Sequence, residues 1–264
     1  MRLIIKGFII GMGKIIPGVS GGMLAITLGV YDQGIDAISN FFEKPKKNSI
    51  FLGLLGIGIV LSIVIFSNLI KISLEKYYLA TMLLFIGLII GGIGSVQKVI
   101  KGSYTTKNLL IMSIPCLVLL FLSTCEWKLN VTEPSFILLI IIGVVEALTM
   151  IVPGISGTAV LMMIGCYELI INTFSTAYEL ESLKILFPFL IGIIVGGIII
   201  VKIMSYLLKK FRTETYFAIY GFVITSIIML FFETFHNNYR VIEVLVGLML
   251  LIVGVFISQK LEDK

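Results

Sequence analysis

Two short segments carry the residues best suited to chemistry: Pro17-Gly18-Val19-Ser20-Gly21-Gly22 and, 136 residues later, Pro153-Gly154-Ile155-Ser156-Gly157-Thr158. Each interrupts a long apolar stretch, and after each Pro-Gly the apolar run resumes, so a new helix N-terminus lies at membrane depth. Its first amides have no intrahelical partner. Bare in hydrocarbon, each such amide costs several kcal/mol, and the aligned helix dipole adds partial positive charge at that end. The glycines let backbone approach a ligand closely, while Ser20, Ser156 and Thr158 can donate hydroxyls or cap the helix. Such an end suits an anion, above all a phosphate or carboxylate. One Pro-Gly-x-Ser-Gly on its own is most simply a kink; two at matched positions argue for a site.

Ionisable groups inside apolar stretches come next, because each costs about 2.5–3.5 kcal/mol at a helix centre. Lys14 precedes Pro17 by three residues and Glu146 precedes Pro153 by seven. Lys14 has two uses open to it: neutralising a bound phosphate, or snorkelling to the headgroups. Glu146 lies well inside its apolar run, which points to proton coupling or to pairing with Lys14. Asp32 and Glu168 end the second arm of each broken segment after Tyr31 and Tyr167, as interfacial anchors or as functional carboxylates. Glu243 near the start of the last apolar run faces either an interior cavity or the headgroups. His236 reads as a solvated loop residue, and Gly91-Gly92-x-Gly94 and Gly196-Gly197 as sites of close helix packing. With a single histidine and three scattered cysteines, no metal cluster or disulfide framework has a recognised spacing. No metal and no cofactor are expected.

The elements that must position these residues follow from composition. The chain has 264 residues, 58% apolar and 13% charged, with a mean hydropathy of +1.12. That excludes a soluble globule. The net charge of +5 sits in short loops between apolar runs, where it orients a membrane protein and does not suggest nucleic acid. Six runs approach the ~20 residues of a spanning helix, at roughly 50–70, 77–97, 108–123, 185–207, 215–232 and 241–258. Two further apolar regions, 3–40 and 134–174, are the broken ones. Forty residues of helix would reach ~60 Å, twice the ~30 Å hydrocarbon core. Each broken region must therefore enter and return, halfway or fully.

Gly13–Asp32 lies over Thr149–Glu168 with Pro, Gly, Ser, Gly, Gly and Tyr identical, and the match extends to Gly7/Gly143 and Gly56/Gly192. The chain thus reads as a tandem duplication, repeat one 1–128 and repeat two 129–264, forming one membrane domain. A returning hairpin plus three spans gives each repeat an odd number of crossings, so the two repeats are inverted. Lysine and arginine test this independently. Fourteen fall on the side of residues 2, 44, 98, 209 and 260, and five (Lys71, Lys76, Lys128, Lys184 and Arg240) on the other. Both termini are therefore expected in the cytoplasm. The expected fold is an all-α polytopic membrane protein with inverted structural repeats, each a broken re-entrant helical hairpin plus three transmembrane helices.

The doubled Pro-Gly-[VI]-Ser-Gly, each followed by Gly-x-Tyr-[DE], resembles the bacterial polyprenyl-phosphate transporter family, once catalogued as domain of unknown function 368. The likeness covers nearly the whole chain. It implies return of undecaprenyl phosphate, the lipid carrier of wall polymers, across the cytoplasmic membrane. It also implies a head-group site at Pro17 to Gly22 and Pro153 to Thr158. Met23 stands where the family usually has threonine, so one hydroxyl is missing from the first motif. The expected partners are a polyprenyl phosphate lipid and the membrane lipids, with a proton or ion gradient, or none, as driving force. A small-anion channel or exchanger would use the same helix ends. A lipid phosphatase fits poorly, because no histidine lies in an apolar segment to activate Ser20 or Ser156, and no enzyme is expected.

Overall fold

In a computed structural model the described residues are 2–15, 19–124, 134–157, 160–161, 164–167, 169–170, 173, 180–236 and 239–262. They form α1 (Arg2–Ile15), α2 (Gly21–Thr27), α3 (Tyr31–Ser39), α4 (Pro45–Lys76), α5 (Tyr78–Gly91), α6 (Ile93–Ile100), α7 (Thr106–Thr124), α8 (Phe136–Ile151), α9 (Leu180–Lys210), α10 (Arg212–Thr234) and α11 (Val241–Glu262). A single 3-10 turn, Phe41–Glu43, leads into α4, whose first residue is a proline, the position where a missing amide costs nothing. Among the described residues there are no strands. Six helices among the described residues are long and apolar enough to cross a membrane: α4, α5 with α6, α7, α9, α10 and α11.

These six contain the apolar runs read from the sequence and extend beyond them. At 32 residues, α4 is ~48 Å long, more than a hydrocarbon core requires, so hydropathy marked its lipid-facing part and missed its ends. Of the six, α5–α6 and α10 are the most buried, while α4, α7 and α11 turn most of their side chains outward. The exposed faces are apolar, Val64, Leu117, Phe121 and Phe256 among them, as a lipid-facing shell requires.

Four intimate helix pairs build the core, and small residues make each possible. Within the first half α1 packs on α4, Gly7 lying against the Leu55 carbonyl; within the second half α8 packs on α9, Gly143 lying against the Phe189 carbonyl. The other two pairs cross between halves. α5 packs on α11 through Gly87 and Leu251, and α7 packs on α10 through Gly221 and Met112. Gly196 meets Val144 and Gly91 meets Val255, as close packing predicts, whereas Gly197 has nothing near it.

Single backbone bonds recur at the 136-residue offset of the sequence match. Leu24 donates to Ser20 and Val160 to Ser156; Leu28 donates to Leu24 and Ile164 to Val160; Val30 donates to Ala25 and Cys166 to Leu161; Gly34 donates to Val30 and Ile170 to Cys166. Every acceptor and donor in the second set is 136 residues after its counterpart. The third pair is the six-residue closure that ends a helix with a left-handed glycine, here Gly29 (φ 65°) and Gly165 (φ 72°).

Candidate functional site

The first motif reaches its place by doubling back. α1 runs inward to Ile15, and α2 returns beside it, with Gly13 against Leu24 and the Lys6 ammonium donating to the Leu28 carbonyl at 2.7 Å. Lys6 thus satisfies an orphan carbonyl at the end of α2 and places a cation at its negative pole. Ser20 occupies the N-cap of α2 with extended backbone (φ −87°, ψ 125°), yet its hydroxyl makes no capping bond. The side chain is buried, and its oxygen has no hydrogen-bond partner among the described residues. A buried hydroxyl left so costs about 1–3 kcal/mol. Behind it Met23 is fully buried and packs into the core.

The second motif meets the first directly. A methyl placed on Gly22 would lie 3.2 Å from the Cα of Pro153, so the Gly22 backbone packs on the second Pro-Gly. Pro153, Gly154 and Ile155 are all buried. Gly154 has φ 91°, a conformation that favours glycine, and a methyl there would also meet Phe222 Cβ at 2.7 Å. Its carbonyl accepts a 2.5 Å hydrogen bond from Ser226 on α10. Ser226 escaped the sequence reading, although a polar side chain in an apolar span was a legible signal.

Glu146 is at the break. Its two carboxylate oxygens lie 2.6 and 2.7 Å from where a methyl on Gly157 would sit, beside the Thr149 hydroxyl at 2.7 Å. Thr149 in turn donates to the Glu146 carbonyl at 2.7 Å. The helix resumes at Gly157, so a carboxylate is folded onto the amide-bearing end that the sequence assigned to an anion. The side chain of Lys14, together with Pro17, Gly18, Thr158 and Glu168, lies outside the described residues.

Tyr31 and Asp32 fasten this assembly from one side. The Tyr31 hydroxyl donates at 2.8 Å to the carbonyl of Ile151, the last residue of α8. Asp32 accepts from Arg212 and from the Tyr216 hydroxyl, both at 2.7 Å, and Asp36 pairs with Lys209 at 3.4 Å. The first Gly-x-Tyr-Asp motif therefore ties α3 to the α9–α10 elbow and caps the helix leading into the second motif. Arg212 counted in the sequence only toward sidedness, and Tyr216 was unmarked, because a partner 184 residues away leaves no local signature. Glu243 accepts from the Arg240 amide at 2.9 Å and lines a cavity of about 380 Å³ with Lys76 and Tyr78, while His236 is exposed.

A smaller cavity, about 100 Å³, reaches the second motif between α7 and α10, touching Gly154, Ser156 and Ser226. The start of α2, with an unused buried hydroxyl, thus abuts the second Pro-Gly break, where a carboxylate lies over the resuming helix. The family described as undecaprenyl phosphate translocase-like matches residues 10–244. The chain belongs to this family. A polyprenyl-phosphate transporter of Staphylococcus aureus is 33% identical over 86% of this chain and 85% of its own length. One of Vibrio cholerae is 28% identical over 84% and 75% respectively. No solved structure matches the chain.

Proposed function

We propose that this protein moves a polyprenyl phosphate, undecaprenyl phosphate in bacteria, across the cytoplasmic membrane and so returns a cell-wall lipid carrier to the inner leaflet. Its head group is held between the two Pro-Gly-x-Ser-Gly motifs, and its isoprenoid tail stays in the bilayer. At about 0.8 kcal/mol per methylene, wetting such a chain would cost tens of kcal/mol, so only the head group needs a protein route. The observation that carries the reading is the packing of Gly22 on Pro153 beside the unpartnered, buried Ser20 hydroxyl. A phosphate oxygen accepting from Ser20 and from the first amides of α2 supplies what that hydroxyl lacks.

The two repeats are inverted in this reading, both termini are cytoplasmic, and the binding motifs of opposite hairpins meet near the midplane, as in other secondary transporters. Glu146 serves proton coupling or charge pairing, its carboxylate and a phosphate competing for the same helix end. Lys14, Asp32 and Glu168 belong to the charge balance around the site. The reading is tested in proteoliposomes by following leaflet-resolved accessibility of undecaprenyl phosphate with and without a pH gradient. Wild-type protein is expected to move the lipid and a Ser20→Ala, Ser156→Ala double variant to lose movement. Retained movement by that variant overturns the site, and chloride flux without lipid movement favours a small-anion channel.

A further inference from the structure

The helices α7 and α10 run parallel, their starts joined by Lys107 and Glu214 at 3.0 Å. They approach most closely where Gly221 meets Met112, with the Cys116 thiol 3.6 Å from the Gly221 carbonyl. Beyond that crossing their ends no longer fill the space between them. Leu119 and Leu122 on one side and Met229 and Glu233 on the other line the 100 Å³ cavity that ends at Ser156 and Ser226. That volume suits a phosphate and excludes a bulky chain. Its walls are mostly apolar, with Ser156 and Ser226 at the motif and Ser123 and Glu233 near the helix ends, so a head group meets polar groups along the cleft while its tail remains in lipid.

The counterpart in the other half is shut off from α2. By the duplication α5–α6 corresponds to α10 and α11 to α7. There Gly92 lies against Thr27 of α2, and the Ser95 hydroxyl lies 3.3 Å from the Ile26 carbonyl, to which it donates. The cavity at the corresponding helix ends, about 430 Å³, is lined by Gly91, Gly94, Gln97 and Gln259 and by no described residue of the first motif.

We infer that the cleft between the C-terminal ends of α7 and α10 is the entry port for the lipid's phosphate. In this conformation the cavity reaches the second motif from the C-terminal ends of α7 and α10, the side that the lysine and arginine bias makes external. The inference rests on the transport reading above but has its own readout. Glu233, the ionisable residue of the lining, has the wrong sign for a phosphate and slows its capture.

The experiment uses a background with the native cysteines replaced, carrying Met229→Cys or Gly94→Cys, and measures maleimide labelling in proteoliposomes. Undecaprenyl phosphate is expected to protect Met229→Cys at least tenfold and Gly94→Cys not at all. Equal protection at both positions, or none at Met229→Cys, overturns the port. Protection at Met229→Cys by inorganic phosphate as strong as by the lipid also overturns it, since the port is then one for small anions. In transport, Met229→Trp should slow lipid movement at least tenfold. Glu233→Gln, a substitution too mild to disturb folding, should speed capture about threefold at low salt. Wild-type rates in both variants overturn the port and leave the transport reading standing, whereas immobile lipid with the wild-type protein and intact protection at Met229→Cys does the reverse.

Discussion

The two helix pairs that join the halves of the chain lie at matching positions of the sequence and are packed differently. Around α5, α6 and α11, Thr27 sits against Gly92 and Ser95 bonds back to α2, while α3 is tied down through Asp32, Arg212 and Tyr216. Around α7 and α10 the equivalent space is a cavity that touches Gly154 and Ser156. Segments that match in sequence need not pack alike, and the difference here is that one pair of helix ends meets α2 while the other borders the second motif.

That contrast can be broken most severely at Gly92. Gly92→Val drives side-chain atoms into Thr27 and should cost about 1–3 kcal/mol of stability, seen as a lowered unfolding temperature in detergent. Gly197→Val, where nothing lies within 4 Å, should leave stability within about 0.5 kcal/mol of wild type. Equal losses at the two positions would mean that the seal is not there. Removing the fastening should cost less: Asp32→Asn, which weakens bonds to both Arg212 and Tyr216, is expected to lower stability by about 1 kcal/mol, because the pair is partly exposed. It should also raise proteolysis around α3. Tyr31→Phe, losing one bond to Ile151, should cost about 1 kcal/mol and leave Asp32 paired.

A sharper separation of stability from function is expected at Ser20. Since its buried hydroxyl has no partner, Ser20→Ala should be neutral or slightly stabilising, by up to ~1 kcal/mol, while transport falls about tenfold. A loss of both together would make Ser20 a structural residue. The smallest effect belongs to Lys107→Met. Its bond to Glu214 is made by a largely exposed lysine and its loss should leave the unfolding temperature where it is in the wild type.

Hydropathy made much of the fold legible in advance. The six spans stood out because lipid demands an uninterrupted apolar run, and the matching glycines Gly29 and Gly165 stood out because they occupy a backbone conformation that few other residues tolerate. That Gly22 packs on Pro153 agrees with the expected nearness of the two motifs. Partner choice was not legible. That α5 pairs with α11 and α7 with α10 depends on which small residues face each other across a helix surface, and Gly87 and Gly221 give no hint of Leu251 or Met112 in the local sequence. Glu146 was flagged as costly where it stood, but its contact with Gly157 follows from the chain turning at Val152, a local geometry that hydrophobic pattern does not encode.

The crossing of α5 to α11 has a consequence for biogenesis. During synthesis α5 enters the membrane more than 150 residues before the helix that fills its groove, so Gly87 and Gly91 face lipid or the insertion machinery until translation is nearly finished. A nascent chain halted after α10 would hold an unmatched groove, and co-expressed halves of the protein should find each other because each carries what the other is waiting for.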